Sequence, residues 1–344
     1  MTFNYTPEVP QVVEEDWSKS DVVLVIDTDE VIYQVAAACE QRGILATNKS
    51  NEAQSTFKTR TEMKNFLSGL EVPDDFYDVV DTQIAEPLKN ACATVKAKLF
   101  NLKEKFKTSN IELYFSGKNN FRLELPLPEQ YKSNRSDTLR PLLLSELKDY
   151  LINYHNAKVV DGDEADQMVA QRMWDGYKSG KQIIGITQDK DARSSQGWLY
   201  NPQKDELIYI DGFGELTKEG SKVKGYGRIW LYFQILMGDW STDHFCPRQI
   251  VKAVTGTLPK FGEVACYNLL SECKTDKEAW QAIHTQYVKW FGIEQFSYVA
   301  WDGNTFTGGY LDVMQMIWDC AFMKRFENDH VDVKSVLKKY GIIE

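Results

Sequence analysis

Four short apolar runs alternating with helical patterns constrain this 344-residue chain more than any other feature. They are "DVVLVID" (21–27), "IELYFS" (111–116), "AKVV" (157–160) and "QIIGIT" (182–187). Runs this short, with little polar alternation, fit strands buried on both faces, the pattern of a parallel sheet covered by helices. The patterns "EVIYQVAAACEQ", residues 81–107, "TLRPLLLSELKDYLINYH" and "EADQMVAQRMWDGYKSG" read as helices, the last closed by Gly180. The expected fold is therefore α/β, with a largely parallel twisted sheet flanked by helices. "GWLYNPQKDELIYID" (197–211) reads as a hairpin. Residues 1–20 read as a tail and 43–80 as a polar insertion, with a turn at "VPDDFYD". After about residue 225 the strands are expected to stop and helices to dominate.

Composition narrows the class. A chain 43% hydrophobic and 26% charged is globular in type. The six cysteines are scattered with no CxxC pair, which points to neither a disulfide framework nor a zinc site and suits a reducing cytoplasm. No apolar run approaches the roughly 18 residues of a membrane span. The start, with its acidic "PEVPQVVEEDW", lacks the basic region and apolar core of a signal peptide. The net charge of −10 argues against a generic nucleic-acid binder, so any such function must rest on local charge.

The acids are placed unevenly. In open parallel sheets, ligands bind beyond the carboxyl ends of the strands. The first run ends in Asp27, with Asp29 just after; the third leads into Asp161, Asp163, Glu164 and Asp166; the fourth into "TQDKD", with Asp189 and Asp191. A later segment, "LMGDWSTD", supplies Asp239 and Asp243. Any one of these acids has an ordinary reading; Asp163, for example, is a good helix N-cap. Together they would ionise only if cations neutralised them. Donors that are all oxygen select Mg²⁺ or Mn²⁺. Two such ions, about 4 Å apart, are the usual apparatus of phosphoester cleavage.

A second local feature lies between residues 118 and 140. Five basic residues (Lys118, Arg122, Lys132, Arg135, Arg140) face three acids (Glu124, Glu129, Asp137), with Phe121 and Tyr131 interleaved. Basic plus aromatic side chains on an exposed segment suit single-stranded nucleic acid.

In their order, "IDTDEVIY", "FRLELPLPEQYKSNR", "DGDEADQMVA", "TQDKDAR" and "MGDWSTD" resemble the bacteriophage 5′→3′ exonuclease and flap endonuclease family of PIN-like nucleases, over roughly residues 21–270. The resemblance implies a PIN-like core over 21–228 with a helical arch around 117–145. It implies a helix-hairpin-helix-like DNA-binding region within 229–275, carried by "TGTLPKFGEVACYNLL"; a helical region over 276–344 would follow. It implies two ions: Asp27, Glu164 and Asp166 at one, Asp191, Asp239 and Asp243 at the other, and Asp189 between. Lys132 and Arg135 would act on the scissile phosphate, Tyr131 would stack on a base, and Arg122 and Lys190 would add nucleic-acid contacts. The implied partner is DNA with a free 5′ end or 5′ flap, or an RNA–DNA hybrid, cut by a monomer in the cytoplasm, the host's if the chain is phage-encoded.

Two positions depart from the family pattern. Ser116 and Gly117 follow the second strand where the family commonly has an Asp, and Gln167 replaces the second Asp of Glu-Ala-Asp-Asp. Such a site would be short of charge, with a high Mg²⁺ requirement and better activity in Mn²⁺; Asp29 and Asp163 are the acids placed to compensate. Two other functions stay open. One is a nuclease-like protein that binds branched DNA without cutting it. The other is a haloacid-dehalogenase-type phosphatase, with Asp27 of "VLVIDTDEV" as nucleophile.

Overall fold

The computed structural model describes residues 21–70, 73–135 and 139–344; the expected tail and Asp137 lie outside them. In chain order the elements are β1 (Val23–Asp27), α1 (Thr28–Ala38), β2 (Glu40–Asn48), β3 (Gln54–Phe57), α2 (Arg60–Ser68), β4 (Tyr77–Ala85), α3 (Leu88–Lys105), β5 (Ile111–Asn120), α4 (Leu144–His155), β6 (Lys158–Gly162), α5 (Ala165–Ser179) and β7 (Ile183–Ile186). Then come β8 (Gly197–Asn201), β9 (Glu206–Ile210), β10 (Glu215–Glu219), β11 (Lys222–Tyr226), α6 (Arg228–Met237), α7 (Pro247–Thr255), α8 (Glu263–Leu270), α9 (Asp276–Phe291), β12 (Phe296–Val299), β13 (Thr305–Gly308), α10 (Tyr310–Ala321) and α11 (Val333–Lys339). They form two compact units.

The first unit takes the described residues within Met1–Thr28, Lys103–Thr138 and Lys158–Glu344. Its six-stranded sheet has the order β6-β5-β1-β7-β8-β9, parallel throughout except for the β8–β9 hairpin. The fold is mixed α/β with a largely parallel central sheet, as expected. β1 lies in the middle because its side chains are apolar on both faces: Leu24, Val25 and Ile26 are fully buried. Beyond the sheet, α6 is buried along nearly its whole length and sits among α8, α9 and α10. A helix apolar all round belongs in a core.

Several sequence expectations need correction. Strands do not stop near residue 225, because β12 and β13 form a late hairpin. The helix expected from 81 starts at Leu88, since 81–85 finish β4, and the helix expected from 138 starts at Leu144. Pro87 and Pro141 explain both delays: proline disfavours helical backbone in the residue before it. Among its described residues, the segment expected to form a helical arch holds two short 3-10 turns, Phe121–Glu124 and Ser133–Arg135, before α4. Pro126 and Pro128 between them remove the backbone donors that an α-helix would need there.

The second unit comprises Asp29–Leu102 and Leu139–Ala157. Within it, the expected polar insertion is an antiparallel sheet of order β3-β2-β4, with α2 packed on it through Ile44, Ala46, Met63 and Leu67. So small a core explains why hydrophobic patterning did not reveal it: Val80 and Ile84 on β4 remain largely exposed.

Candidate functional site

The acids of the first unit lie where the parallel strands end. Asp27 is the last residue of β1, paired in register with Tyr114 of β5. Glu164 is the N-cap residue of α5, just after β6, and Asp166 lies in that helix's first turn. Asp189 follows β7, and its Oδ1 accepts the Asp191 amide at 2.8 Å, starting the turn Asp191–Ser194. Asp239 and Asp243 lie in a loop after α6 that Gly238 makes possible. Its φ of +63° is left-handed, and a Cβ there would stand 2.3 Å from the Phe245 carbonyl. An antiparallel bridge between Asp239 and Phe245 closes the loop.

Basic side chains lie among these acids. Lys132 Nζ donates to Glu164 and Lys190 Nζ to Asp239, while Arg135 reaches Asp243 at 2.6 Å. Lys132 has a φ of +58°, uncommon for a residue with a side chain. Its amide donates to the Asp243 carbonyl at 3.1 Å, which fixes the backbone there. Tyr131 is buried, with its hydroxyl 3.3 Å from Glu164 and 3.4 Å from Asp243.

The charges divide the carboxyls into two kinds. Burial disfavours the Glu164 carboxylate, but Lys132 and Arg122 outweigh it and hold its pKa below the usual range. Asp239 is held low in the same way: burial opposes, and Lys190 with the Thr242 amide prevails. Asp166 goes the other way. Burial and then the neighbouring Glu164 push it up to about 7, and its buried Oδ1 has no hydrogen-bond partner. Asp191 is raised well above the carboxylate range by burial and then by Asp189. Asp243 is raised by burial, with Lys132 and Arg135 opposing.

Some expected contacts are placed differently. Arg122 is only 2% exposed; it bonds the Cys320 carbonyl at 3.1 Å and Asp163 at 3.2 Å. It is a buried strut that no DNA strand can reach, although it was expected on an exposed loop. The ring of Tyr131 is likewise packed inside, beside Phe245, where no base can stack on it. Ser116 Oγ accepts the Ala165 amide at 3.0 Å and so caps α5. Gly117 cannot carry a side chain, because a Cβ would lie 2.2 Å from the Val160 carbonyl. Gln167 is fully buried; its Oε1 accepts the Lys324 amide at 3.0 Å and its Nε2 donates to Met323 Sδ. Asp163 accepts from Lys324 Nζ at 2.5 Å. Asp29, in α1, belongs to the second unit.

Sequence reading missed two residues here. Lys324 braces the head of α5 from the C-terminal region, and Gln234 of α6 donates to Asp191. Neither sits in a motif; only the apolar run around Gln234 hinted that a polar residue there would be buried with a purpose.

The chain is similar in structure to bacteriophage T5 5′-exonuclease. A mutant of that protein aligns over 72% of this chain and 84% of its own, with TM-score 0.40 and 11% identity. T5 flap endonuclease, in a pseudo-enzyme–product complex with DNA and metal ions, aligns over 73% and 90%, with TM-score 0.42 and 14% identity. No family model matches the sequence, and no curated protein matches it either.

The donor set can be tested against a metal. The acidic donors in the cluster are all oxygens, carboxylates with the Tyr131 hydroxyl beside them, which suits a hard cation. The orphaned Oδ1 of Asp166, and the carboxyls of Asp166 and Asp191 raised first by burial and then by a neighbouring carboxylate, are groups whose ionised form a bound cation would favour. Among the described residues no three such side chains are already gathered closely enough to hold an ion. Lys132 and Lys190 now balance the carboxylates that such an ion would draw in. The residues therefore fit divalent cations by chemistry, with a rearrangement of these lysines. Among the described residues no helix is long and apolar enough to cross a membrane.

Proposed function

We propose that this protein is a metal-dependent 5′ nuclease, an exonuclease or flap endonuclease that hydrolyses phosphodiesters in DNA or an RNA–DNA hybrid. One observation carries this reading: acids from β1, the head of α5, the β7 loop and the α6 loop stand at one end of the sheet, and several perturb one another's ionisation. Structural ion pairs alone would leave no reason to bury Asp166 and Asp191 beside other carboxylates.

Asp27, Glu164 and Asp166 would hold one Mg²⁺ or Mn²⁺ and Asp191, Asp239 and Asp243 a second, with Asp189 between. Such ions supply charge neutralisation of the phosphate and acidification of water. The chain's own residues do the rest. Lys132 and Arg135 exchange their carboxylate partners for the oxygens of the scissile phosphate. Their charge counts for most as negative charge develops in the transition state. Lys190, whose side chain is 53% exposed, takes a neighbouring phosphate. Water's oxygen bonds to phosphorus and the P–O3′ bond breaks, leaving 5′-phosphate and 3′-hydroxyl ends. The turn between α7 and α8, with Gly256 at φ +77° and Gly262 open to solvent, is the candidate grip on duplex phosphates.

A second reading is binding of branched DNA without cleavage. It is favoured by the lysines now paired with the acids and by the structural employment of Ser116 and Gln167. The phosphatase reading loses ground because Gly238 and Asp239 follow a helix rather than a strand. Incubation of a 5′-flap DNA with Mg²⁺ or Mn²⁺ decides: 5′-phosphorylated product supports a nuclease, and a gel shift without product supports the binder.

A further inference from the structure

The hairpin β12–β13 carries no motif, yet it touches the segment that leads to Lys132. Its strands pair from Phe296 with Gly308 to Val299 with Thr305, and Gly303, at φ +82°, turns the loop between them. Tyr298 packs against Phe306 with ring centroids 5.0 Å apart, and the hairpin rests on α7 and α10. Tyr298 and Ala300 belong to the large core of the first unit.

The segment it meets is short of hydrogen bonds of its own. Residues 125–128 read Leu-Pro-Leu-Pro, and neither proline has an amide hydrogen to donate. The Leu127 amide folds back on the Leu125 carbonyl at 2.8 Å, but a helix ladder cannot run through the stretch. Carbonyls in such a stretch need donors from elsewhere. Three successive ones find them on the hairpin. Trp301 Nε1 donates to the Leu125 carbonyl at 3.0 Å, the Tyr298 hydroxyl to that of Pro126 at 2.5 Å, and the Trp301 amide to that of Leu127 at 2.9 Å.

What this grip holds is the approach to the candidate site. Leu127 is fully buried, and Tyr131, further on, is buried beside Phe245. Lys132 follows, with its amide on the Asp243 carbonyl and its Nζ on Glu164. Upstream, Arg122 is fixed to the Cys320 carbonyl. The chain from Arg122 to Lys132 is therefore tied down at both ends, and its middle is tied to the hairpin. A lysine side chain has many rotamers, so a held backbone is what gives its ammonium one place among several carboxylates. Lys132 also sits at φ +58°, a conformation that persists only where its surroundings impose it.

We infer that β12–β13 is a clamp that sets the position of Lys132, and that Trp301 and Tyr298 are positioning residues acting through that lysine. Its effect on cleavage rests on the nuclease reading, whereas the clamp stands without it. Both residues lie beyond residue 275, so the C-terminal region, in which no motif is readable, becomes part of the site's support.

Two measurements test this on the full chain carrying Trp301→Phe and Tyr298→Phe together, which keeps an aromatic ring at each position and removes the indole and hydroxyl donors. The first is hydrogen exchange without DNA, read by mass spectrometry. Amides in residues 125–135 should exchange about tenfold faster, the size of one or two lost hydrogen bonds. Peptides from β1 and α6 should be unchanged. The second is single-turnover cleavage of a 5′-flap DNA with Mg²⁺ or Mn²⁺. The rate should fall about tenfold, as a displaced charge would cost, while affinity for the same DNA in EDTA stays the same. In a Lys132→Ala background the same two changes should lower the rate by less than about twofold, because the residue they position is gone. Unchanged exchange in 125–135 would overturn the clamp whether or not the chain cuts DNA. Faster exchange spread evenly to β1 and α6 would overturn it too, by making the two residues ordinary core. A loss of rate that persists undiminished in Lys132→Ala, or a matching loss of affinity, would overturn the positioning role. Faster exchange confined to 125–135, in a chain that cuts no DNA in either metal, would support the clamp and sink the nuclease reading alone.

Discussion

Glu164 with Asp166 at the head of α5, and Asp239 with Asp191 on the loops after α6 and β7, repeat one arrangement. In each pair a lysine keeps one carboxylate ionised while burial and like charge push the other toward its protonated form. The backing differs. The α5 pair is the more enclosed: Arg122 is buried, Lys324 is tied to Asp163, and Lys132 is only 22% exposed. The loop pair is backed by the neutral amide of Gln234, and its lysine is half exposed. One end is therefore a closed electrostatic network. The other leaves Lys190 and Arg135 at the surface, where the phosphate of the proposed substrate would meet them.

The largest expected contrast is between the two lysines. Lys132→Ala leaves Glu164 partly buried with Arg122, at 3.7 Å, as its remaining cation and should cost about 3 kcal/mol of stability, the low end for breaking a buried pair. It should also lower single-turnover cleavage by roughly 10²-fold or more, the loss typical of one electrostatic stabiliser. Lys190→Ala removes a half-exposed partner and should cost only about 0–1 kcal/mol. Chemical denaturation of both variants reads the difference. Equal losses would dissolve the distinction between a closed end and an open one.

Asp166 sharpens the comparison through pH. Its folded pKa, about 7, stands above the unfolded value of 3.8. Its contribution to stability is therefore fully present below pH 3.8 and lost as pH rises through about 7. Asp166→Asn should stabilise the metal-free protein by on the order of 2–4 kcal/mol at pH 8. The gain should shrink toward zero near pH 4. A thermal unfolding series in EDTA across that range checks it, and a gain independent of pH would contradict the assignment.

A smaller effect is expected at Gln167. Gln167→Asp supplies the carboxylate of the motif this segment resembles but places a charge in a fully buried position and loses the amide's bond to Met323. It should cost roughly 1–3 kcal/mol and leave the Mg²⁺ titration of cleavage unchanged. A lower Mg²⁺ midpoint would show that the side chain reaches the site after all. Smallest of all, Lys324→Ala should lose about 1 kcal/mol with cleavage nearly intact, because its backbone bond to Gln167 survives the substitution.

What was legible in the sequence follows the same division. The parallel sheet was readable because its strands are apolar on both faces, and the acids because strand ends position them in an ordered series. The roles of Arg122 and Tyr131 were not readable. A basic–aromatic stretch looks the same whether it faces solvent or folds inward, and what turns it inward is residues far along the chain, Cys320 and Phe245. Ser116 and Gln167 looked like missing ligands because a local motif cannot show that their polar atoms are used by the α5 amide and the Lys324 backbone. The sheet of the second unit escaped notice for want of a core large enough to pattern its sequence.

The most direct test is single-turnover cleavage of a 5′-flap DNA at saturating protein, comparing the unaltered chain with Asp189→Asn. The account predicts product with Mg²⁺ or Mn²⁺ and none in EDTA. It predicts no product from Asp189→Asn, which should bind the same DNA in EDTA at least as tightly, because a negative charge has gone. Cleavage retained by Asp189→Asn, or DNA bound but uncut by the unaltered chain in both metals, would contradict it.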